Sequence, residues 1–397
     1  MAVTTYKMQK SAQAFDGGVS AVTGAAKIVT VSVVGTFEPG DKFNLRLGDN
    51  NYGFLANPAG PVSFLLTLGK KMHAISDTLL EFSAIDNPRD WDTEFGIGAG
   101  FINMFNEFTG GEKLRALAAY SRYLAVFARR TIQVWAMDVD PARNSQIQAL
   151  KNIGTLSPRS VVQIGDVDVF FLSDSGIRSL RSRDINNIAF SADIGNPIDD
   201  LILREIREAG PMAEKAIGAI DPTDGRYWLV INGRIYVFSH FSQTKISAWS
   251  TYEPDFLPEG VATYDGRLYV RSAMGAHGSV NSLGRLYLYG GDDNATYDDC
   301  PVEGVLPFLS AGAPATTKTF TGFDAVVEGQ WAFEIGTNPE MPDARDVIGE
   351  LWAPSFDMQR IPLDMVGTQA SIRFTCTEPG YARLSTLALH YNPFESG

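Results

Sequence analysis

Basic residues are in deficit: 33 Lys+Arg stand against 46 Asp+Glu, a net charge of −13. A protein that holds nucleic acid through its phosphates needs the opposite balance, so that class is excluded. Cysteine is nearly absent. Cys300 and Cys376 cannot build a disulfide framework and read as reduced thiols of a protein assembled in a cytoplasm, with a single bridge left open. No window approaches the roughly 18 consecutive apolar residues of a membrane span. The start, Met1 to Lys7, lacks the charged region and apolar run of a signal peptide. Four histidines, His73, His240, His277 and His390, stand far apart without metal-ligand spacing. Nucleophile-elbow, Walker and His-Glu-x-x-His segments are missing, and long amphipathic helical patterns are scarce.

What the chain does have is β material. Its 397 residues are enough for two or three domains, or for one large β domain with additions. Only 20% of residues are charged, and aromatics are plentiful, which rules out a disordered chain. Thirty-eight Gly and 20 Pro separate short runs rich in Val, Ile, Leu, Phe and Tyr. Residues 28–34, 123–127, 167–172 and 227–231 are examples, and each predicts a strand bounded by turns. One helix is predicted, Pro197 to Glu208, with Ile198, Leu201, Ile202 and Ile206 on one face. Asn196 suits its N-cap, Pro197 its N1 position, and Asp199 and Asp200 its first-turn dipole.

Similar strand pairs recur around Leu79, Leu124, Val167, Tyr227 and Leu268, at steps of about 45, 43, 60 and 41 residues. The long step contains the helix. Without it the period is that of a four-stranded propeller blade. Turn chemistry agrees, because Asp224-Gly225, Asn232-Gly233, Asp265-Gly266 and Leu283-Gly284 each place Gly-Arg just before a strand. The reading is all-β: a propeller-like repeat with a small N-terminal β unit, one inserted helix and a C-terminal β-sandwich. Residues 1–64 form an arm and the small unit, whose turns are 38–41 and 48–51. Residues 65–300 form the propeller-like domain, with the helical insertion near 196–209. Residues 301–397 form the sandwich, entered through the connector 307–317.

Candidate chemistry is sparse. Gly96-Ile97-Gly98-Ala99-Gly100 has the look of a dinucleotide loop, but no βαβ unit surrounds it. Asp138, Asp140, Asp166, Asp168, Asp174 and Asp221 lie near predicted strand ends, where a propeller mouth can gather the carboxylate pair of a glycosidase. Asp beside Gly, Pro or Ser is also ordinary turn material, and that reading is preferred. The run Asp292, Asp293, Asn294, Asp298, Asp299 lacks the ladder and closing Glu of a calcium loop. Arg129-Arg130 and Arg178, Arg181 and Arg183 suit surface or inter-subunit ion pairs. No catalytic, cofactor-binding or metal residue is assigned, and no cofactor is expected.

Several segments, in order, resemble the tail nozzle or tail tubular (packaged-DNA stabilisation) proteins of short-tailed bacteriophages. They are Leu80 to Trp91 followed by Gly98 to Ile102; Leu124 to Phe127 leading to Thr131 to Trp135; Ile153 to Val161; Phe170 to Ile177; Gly195 to Asp200; Val327 to Trp331; and Leu389 to Tyr391. The resemblance runs from about residue 65 to the end, and it rests on the order of the motifs, since none is specific alone. It implies a non-enzymatic virion protein, assembled in the host cytoplasm into a tail ring, six-fold in symmetry, below the portal and its adaptor. Fibres or spikes dock outside, and double-stranded DNA passes the lumen without sequence-specific binding. An acidic lumen lets a duplex slide without sticking. The apolar stretch Phe101 to Phe108 is a candidate subunit contact. A glycan-binding or glycan-cleaving propeller of the tail is the alternative. A cytosolic host scaffold is the third reading, without the WD-type signatures expected of one.

Overall fold

The computed structural model describes residues 62–91, 98–105, 111–183, 193–241, 246–273, 284–291, 301–355 and 361–393, together with the backbone of four N-terminal strands. Those strands pair as two antiparallel ribbons, Ala2–Lys10 with Lys27–Gly35 and Asp41–Leu47 with Asn50–Ala56. The predicted turns at 38–40 and 48–49, Gly96, Ile97, the 292–299 acidic run, Cys300 and His277 lie outside the described residues. Two compact units are present, Met1–Leu288 and Tyr289–Gly397.

The first unit contains five antiparallel meanders in chain order. The first sheet is Phe64–Leu68, Lys71–Ser76, Leu79–Phe82 and Gly100–Asn103, and the second is Ala116–Tyr120, Tyr123–Phe127, Thr131–Ala136 and Ser145–Lys151. The third has Val162–Ile164, Asp168–Ser173 and Gly176–Ser179. The fourth has Ile217–Ile220, Tyr227–Ile231, Arg234–Phe241 and Ile246–Tyr252, and the fifth Pro258–Tyr264, Arg267–Ser272 and Leu286–Leu288. The opening strand of each sheet lies beside the opening strand of the next. This is the propeller-like repeat.

Hydrophobic burial follows that arrangement. Ile75, Leu80 and Met104 of the first sheet pack on Leu117, Leu124, Val126 and Trp135 of the second. Phe127 and Ile132 meet Val169 and Phe171 of the third at the next layer. Phe170, Leu172 and Ile177 then meet Tyr227, Leu229 and Tyr236, and Trp228 and Val237 meet Leu268 and Val270. Strand alternation makes this layering work, because each sheet sends one set of side chains forward and the other back. Two hairpins use the expected turn type: Asn232-Gly233 and Asp265-Gly266 have positive φ at both residues, as a tight two-residue turn requires.

The helix spans Asp199–Ala209, preceded by a 3-10 turn at Asn196–Ile198. Its start differs from the sequence reading. Pro197 lies in the 3-10 turn, and the N-cap position is Ile198, without a side-chain cap. Ile202 is fully buried against the fourth sheet's layer, with Ile198, Leu201 and Ile206 half-buried beside it.

The second unit is a two-sheet sandwich. One sheet runs Val302–Val305, Ser371–Cys376, Trp331–Gly336, Asp346–Leu351, and the other Ile361–Gly367, Lys318–Glu328, Arg383–Pro393. Phe320, Phe323, Phe333, Ile335 and Ile372 fill the space between them. Cys376 is a buried free thiol there. Lys318 opens its strand at an inward position, and its ammonium donates to the carbonyls of Ala313, Thr316 and Thr368 at 2.7, 2.9 and 2.9 Å. The side chain thereby ties the Pro/Ala/Thr connector to the sheet. Lys318→Met is expected to leave three carbonyls without that donor and cost about 2–4 kcal/mol, read by urea unfolding. A loss below about 1 kcal/mol would show that the cage is not structural.

Candidate functional site

A dense polar arrangement joins the second, third and fourth sheets, and three of the segments singled out in the sequence contribute to it. The stretch 153–161 crosses between sheets. The Thr155 N–H donates to the Ala128 carbonyl at 2.9 Å and the Leu156 N–H to the Leu172 carbonyl at 2.7 Å. Thr155, Ser157 and Ser160 are each fully buried, so every hydroxyl needs a partner. Ser157 Oγ donates to the Ala216 carbonyl at 2.7 Å, reaching the fourth sheet. Ser160 Oγ donates to the Ser157 carbonyl at 2.7 Å and accepts the Leu172 N–H at 3.0 Å. Thr155 Oγ1 donates to the same Ser157 carbonyl at 2.7 Å. At Gly154 an added Cβ would lie 2.2 Å from the Ala128 carbonyl oxygen. Gly154→Ala is therefore expected to cost about 3 kcal/mol by overpacking, with a lower melting temperature as the readout.

The other two segments meet face to face. Arg178, nearly buried, donates from Nη1 to Asp199 Oδ1 at 2.7 Å and to its own carbonyl neighbour Ile177 at 2.9 Å, and from Nη2 to the Ser175 carbonyl. Asp193 Oδ2 lies 3.7 Å from its Nε. Gly195 passes so close that a Cβ would sit 2.3 Å from the Ile177 carbonyl oxygen. Gly176, at φ +120°, admits no side chain either, because Asp199 Oδ1 occupies that place. Arg178 thus clamps the 173–178 hairpin to the entry of the helix.

A third tie fixes the helix to the fourth sheet. Glu205 points from the helix's apolar side, and its carboxylate is 1% exposed. Oε1 accepts from Arg234 Nη1 at 2.7 Å and Tyr236 Oη at 2.9 Å, and Oε2 from Asn232 Nδ2 at 2.9 Å. Burial alone raises a carboxyl's pKa, but these three donors outweigh it and hold Glu205 below its ordinary range. Nearer the surface, Arg129 grips Asp174 at 2.9 Å and also Glu214, so it pairs within the chain.

The carboxylates considered as glycosidase candidates are used locally. Asp138 Oδ1 accepts the Asp140 N–H at 2.9 Å, and Asp140 Oδ1 caps the Ala142 N–H at 3.0 Å. Both flank the buried Lys71, whose ammonium donates to the carbonyls of Asp138 and Val139. Burial pushes the Lys71 pKa down, against the pull of those two carboxylates. Asp166 supplies a carbonyl to the Ser121 N–H, and Asp174 serves Arg129. Asp168 Oδ2 accepts from Ser179 Oγ at 2.6 Å, and Oδ1 accepts the Arg181 and Val169 N–H groups. Burial still raises its pKa. Asp221 closes its own turn through the Thr223 N–H at 3.0 Å. Asp138 and Asp140 share one loop, and Asp166 and Asp168 share the turn between Ile164 and Asp168.

Two further arrangements have a catalytic outline. Gly98-Ala99-Gly100 leads into a strand, with Gly100 set against the Phe82 ring, so no helix N-terminus faces a phosphate there. In the sandwich, His390 Nε2 lies 2.8 Å from Asp324 Oδ2, and Ser355 Oγ donates to Asp324 Oδ1 at 3.0 Å. The carboxylate stands between hydroxyl and imidazole. A nucleophilic relay needs the imidazole in the middle, so this geometry does not activate Ser355. Among the described residues no group of three His, Cys, Asp or Glu is placed to hold a metal ion, and no helix is long and apolar enough to cross a membrane.

No family profile matches the chain, and no curated protein matches it. Solved structures overlap it partially. PorZ, a surface component of the type-IX secretion system of Porphyromonas gingivalis, is 13% identical over 57% of this chain and 28% of its own, at a TM-score of 0.33. An exo-β-1,3-galactanase from Phanerochaete chrysosporium is 10% identical over 84% of this chain and 96% of its own, at 0.31. The AfRom2 CNH domain is 9% identical over 66% and 80%, at 0.36. Overlaps of this quality set no function for the chain.

Proposed function

We propose that this protein is a structural subunit of the tail nozzle of a short-tailed bacteriophage, assembled into a ring that conducts and retains genomic DNA. One observation carries the reading. The segments that resemble the nozzle family, 153–161, 170–177 and 195–200, are those whose buried hydroxyls and glycines, with the adjoining Arg178 paired to Asp199, lock three sheets and a helix together. Their role is mechanical, as the resemblance implies, and the activity proposed is assembly and gating with no catalytic step. The net charge of −13 suits a conduit that repels phosphate instead of binding it.

Ring subunits need apolar surface for their neighbours. Phe101, on the peripheral strand of the first sheet, and Phe105, in the turn that follows it, are 58% and 55% exposed, whereas Met104 between them is buried. Residues 106–108 of the same stretch lie outside the described set. In the proposed assembly this patch meets the next subunit, the adaptor sits above, and fibres or spikes attach outside.

The test is the mass of the purified chain by light scattering at low and high concentration, alone and with the phage adaptor. A closed oligomer that falls apart in a Phe101→Asp, Phe105→Asp variant is expected. Thermal stabilisation of a strict monomer by an oligosaccharide would favour the glycan-binding reading in its place.

A further inference from the structure

The five sheets of the first unit leave a face at each end of the array. On the fifth sheet Leu268 and Val270 pack on the fourth, so alternation sends Arg267, Tyr269 and Arg271 to the opposite side. Their cross-strand partners there include Tyr264, opposite Arg267, and Leu286, opposite Arg271. Tyr264 is 74% exposed and Leu286 67%. On the first sheet Leu66 and Leu68 pack on the second, and Leu65, facing away, is 54% exposed. On that same outward side Ala74 and Ser76 are buried, yet they belong to no core cluster of the described residues.

We infer that the N-terminal strands form a sixth sheet whose docking site is the outward face of the fifth sheet, closing the array between the fifth sheet and the first. Chain order is the first argument. Sheets begin at Phe64, Ala116, Val162, Ile217 and Pro258, spacings of 52, 46, 55 and 41 residues, and every sheet packs on the one before it in sequence. Residues 1–63 supply one further, somewhat longer stretch, and its two ribbons carry four strands, as many as the first, second and fourth sheets. The second argument is reach. Ala56 is joined to Phe64 by seven residues, about 25 Å at full extension, so the 41–56 hairpin is tethered within that reach of the first sheet's opening strand. The third is pattern. Phe43, Leu45 and Leu47 alternate with Lys42, Asn44 and Arg46, and pairing sets Phe43 opposite Phe54 and Leu45 opposite Tyr52. Such a hairpin needs a sheet to cover it. Six sheets also fall within the four to eight blades of closed propellers. The 1–64 segment, expected from sequence to be a separate small unit, becomes the closing element. This inference does not depend on the ring assembly, which uses the peripheral Phe101–Phe105 patch.

Hydroxyl-radical footprinting of the full-length protein, read by mass spectrometry, tests it. Tyr264 is expected to oxidise several-fold more slowly than Tyr381, which is 53% exposed, and Leu286 several-fold more slowly than Leu309, which is 55% exposed, equally so at low and high protein concentration. A Phe43→Lys, Phe54→Lys variant is expected to restore their reactivity while Leu229 and Tyr236 stay unreactive, which shows that the remaining sheets are still folded. Free reactivity in the unmodified chain would overturn the inference. So would protection that grows with concentration, the mark of a second copy on this face, or protection that the variant leaves unchanged.

Discussion

Replacing Glu205 by alanine is expected to destabilise the first unit by about 3 kcal/mol, the scale of breaking a buried ion pair on one side. The reason lies in what the carboxylate leaves behind. Arg234 is partly exposed and keeps Glu253 at 2.9 Å, so it loses little. Tyr236, about 1% exposed, loses its acceptor, at about 1–3 kcal/mol for an unsatisfied buried donor, whereas the exposed Asn232 can turn to water. Glu205→Gln, which retains the shape and one acceptor oxygen, is expected to cost about half as much. Because the folded pKa is depressed, this contribution is complete above the ordinary carboxyl value of 4.5 and is lost as pH falls through the lower folded value. Urea unfolding at neutral pH is the measurement. A loss under about 1 kcal/mol for the alanine variant would mean that the helix is not held through this network.

The second large effect concerns acid. His73 sits 1% exposed in the layer between the first and second sheets, 6.1 Å from the Phe82 ring. Burial is the main cause that lowers its pKa, the Lys71 ammonium adds to it, and backbone groups of Leu66 and Lys71 oppose; the result is about 4. An unfolded histidine takes up its proton near 6.5. Between these two values the unfolded chain binds a proton that the folded chain refuses, so stability falls as pH falls, by about 3 kcal/mol across the window. Most of the window lies above the ordinary carboxyl value of 4.5, below which the Glu205 contribution is lost, so the two effects separate above that pH. In His73→Leu the slope of stability against pH between about 6.5 and 4.5 is expected to flatten, while the slope below 4.5 persists. An unchanged slope in that variant would assign the acid sensitivity to other groups.

Much of the architecture was legible in the chain because its signals are local. The Asn232-Gly233 and Asp265-Gly266 turns, the alternating runs and the one apolar helical stripe each follow from short stretches and agree with one another. The helix start was less legible, because Asn196 and Pro197 favour a cap and an N1 position locally, whereas both lie in a 3-10 turn and the long-range pair of Arg178 with Asp199 holds the first helical residue. Buried charges were missed for a related reason. Glu205 stands three positions from Ile202 on the helix's inner side, where a carboxylate interrupts the apolar stripe. Lys318 was passed over although it shares the inward parity of Phe320. In both cases a polar residue at an apolar position was the signal, and only tertiary partners give it meaning. The six aspartates could not be sorted by sequence at all, since turn caps and catalytic acids draw on the same residue type beside Gly and Pro.

The central claim is assembly into a DNA-conducting ring, and direct imaging tests it most simply. Negative-stain micrographs of the purified protein, with the adaptor present where the chain alone stays small, are predicted to show closed rings. Their central hole should be at least about 20 Å wide, enough for a duplex whose phosphates an acidic lumen does not retain. Particles that remain single subunits under both conditions would contradict the account.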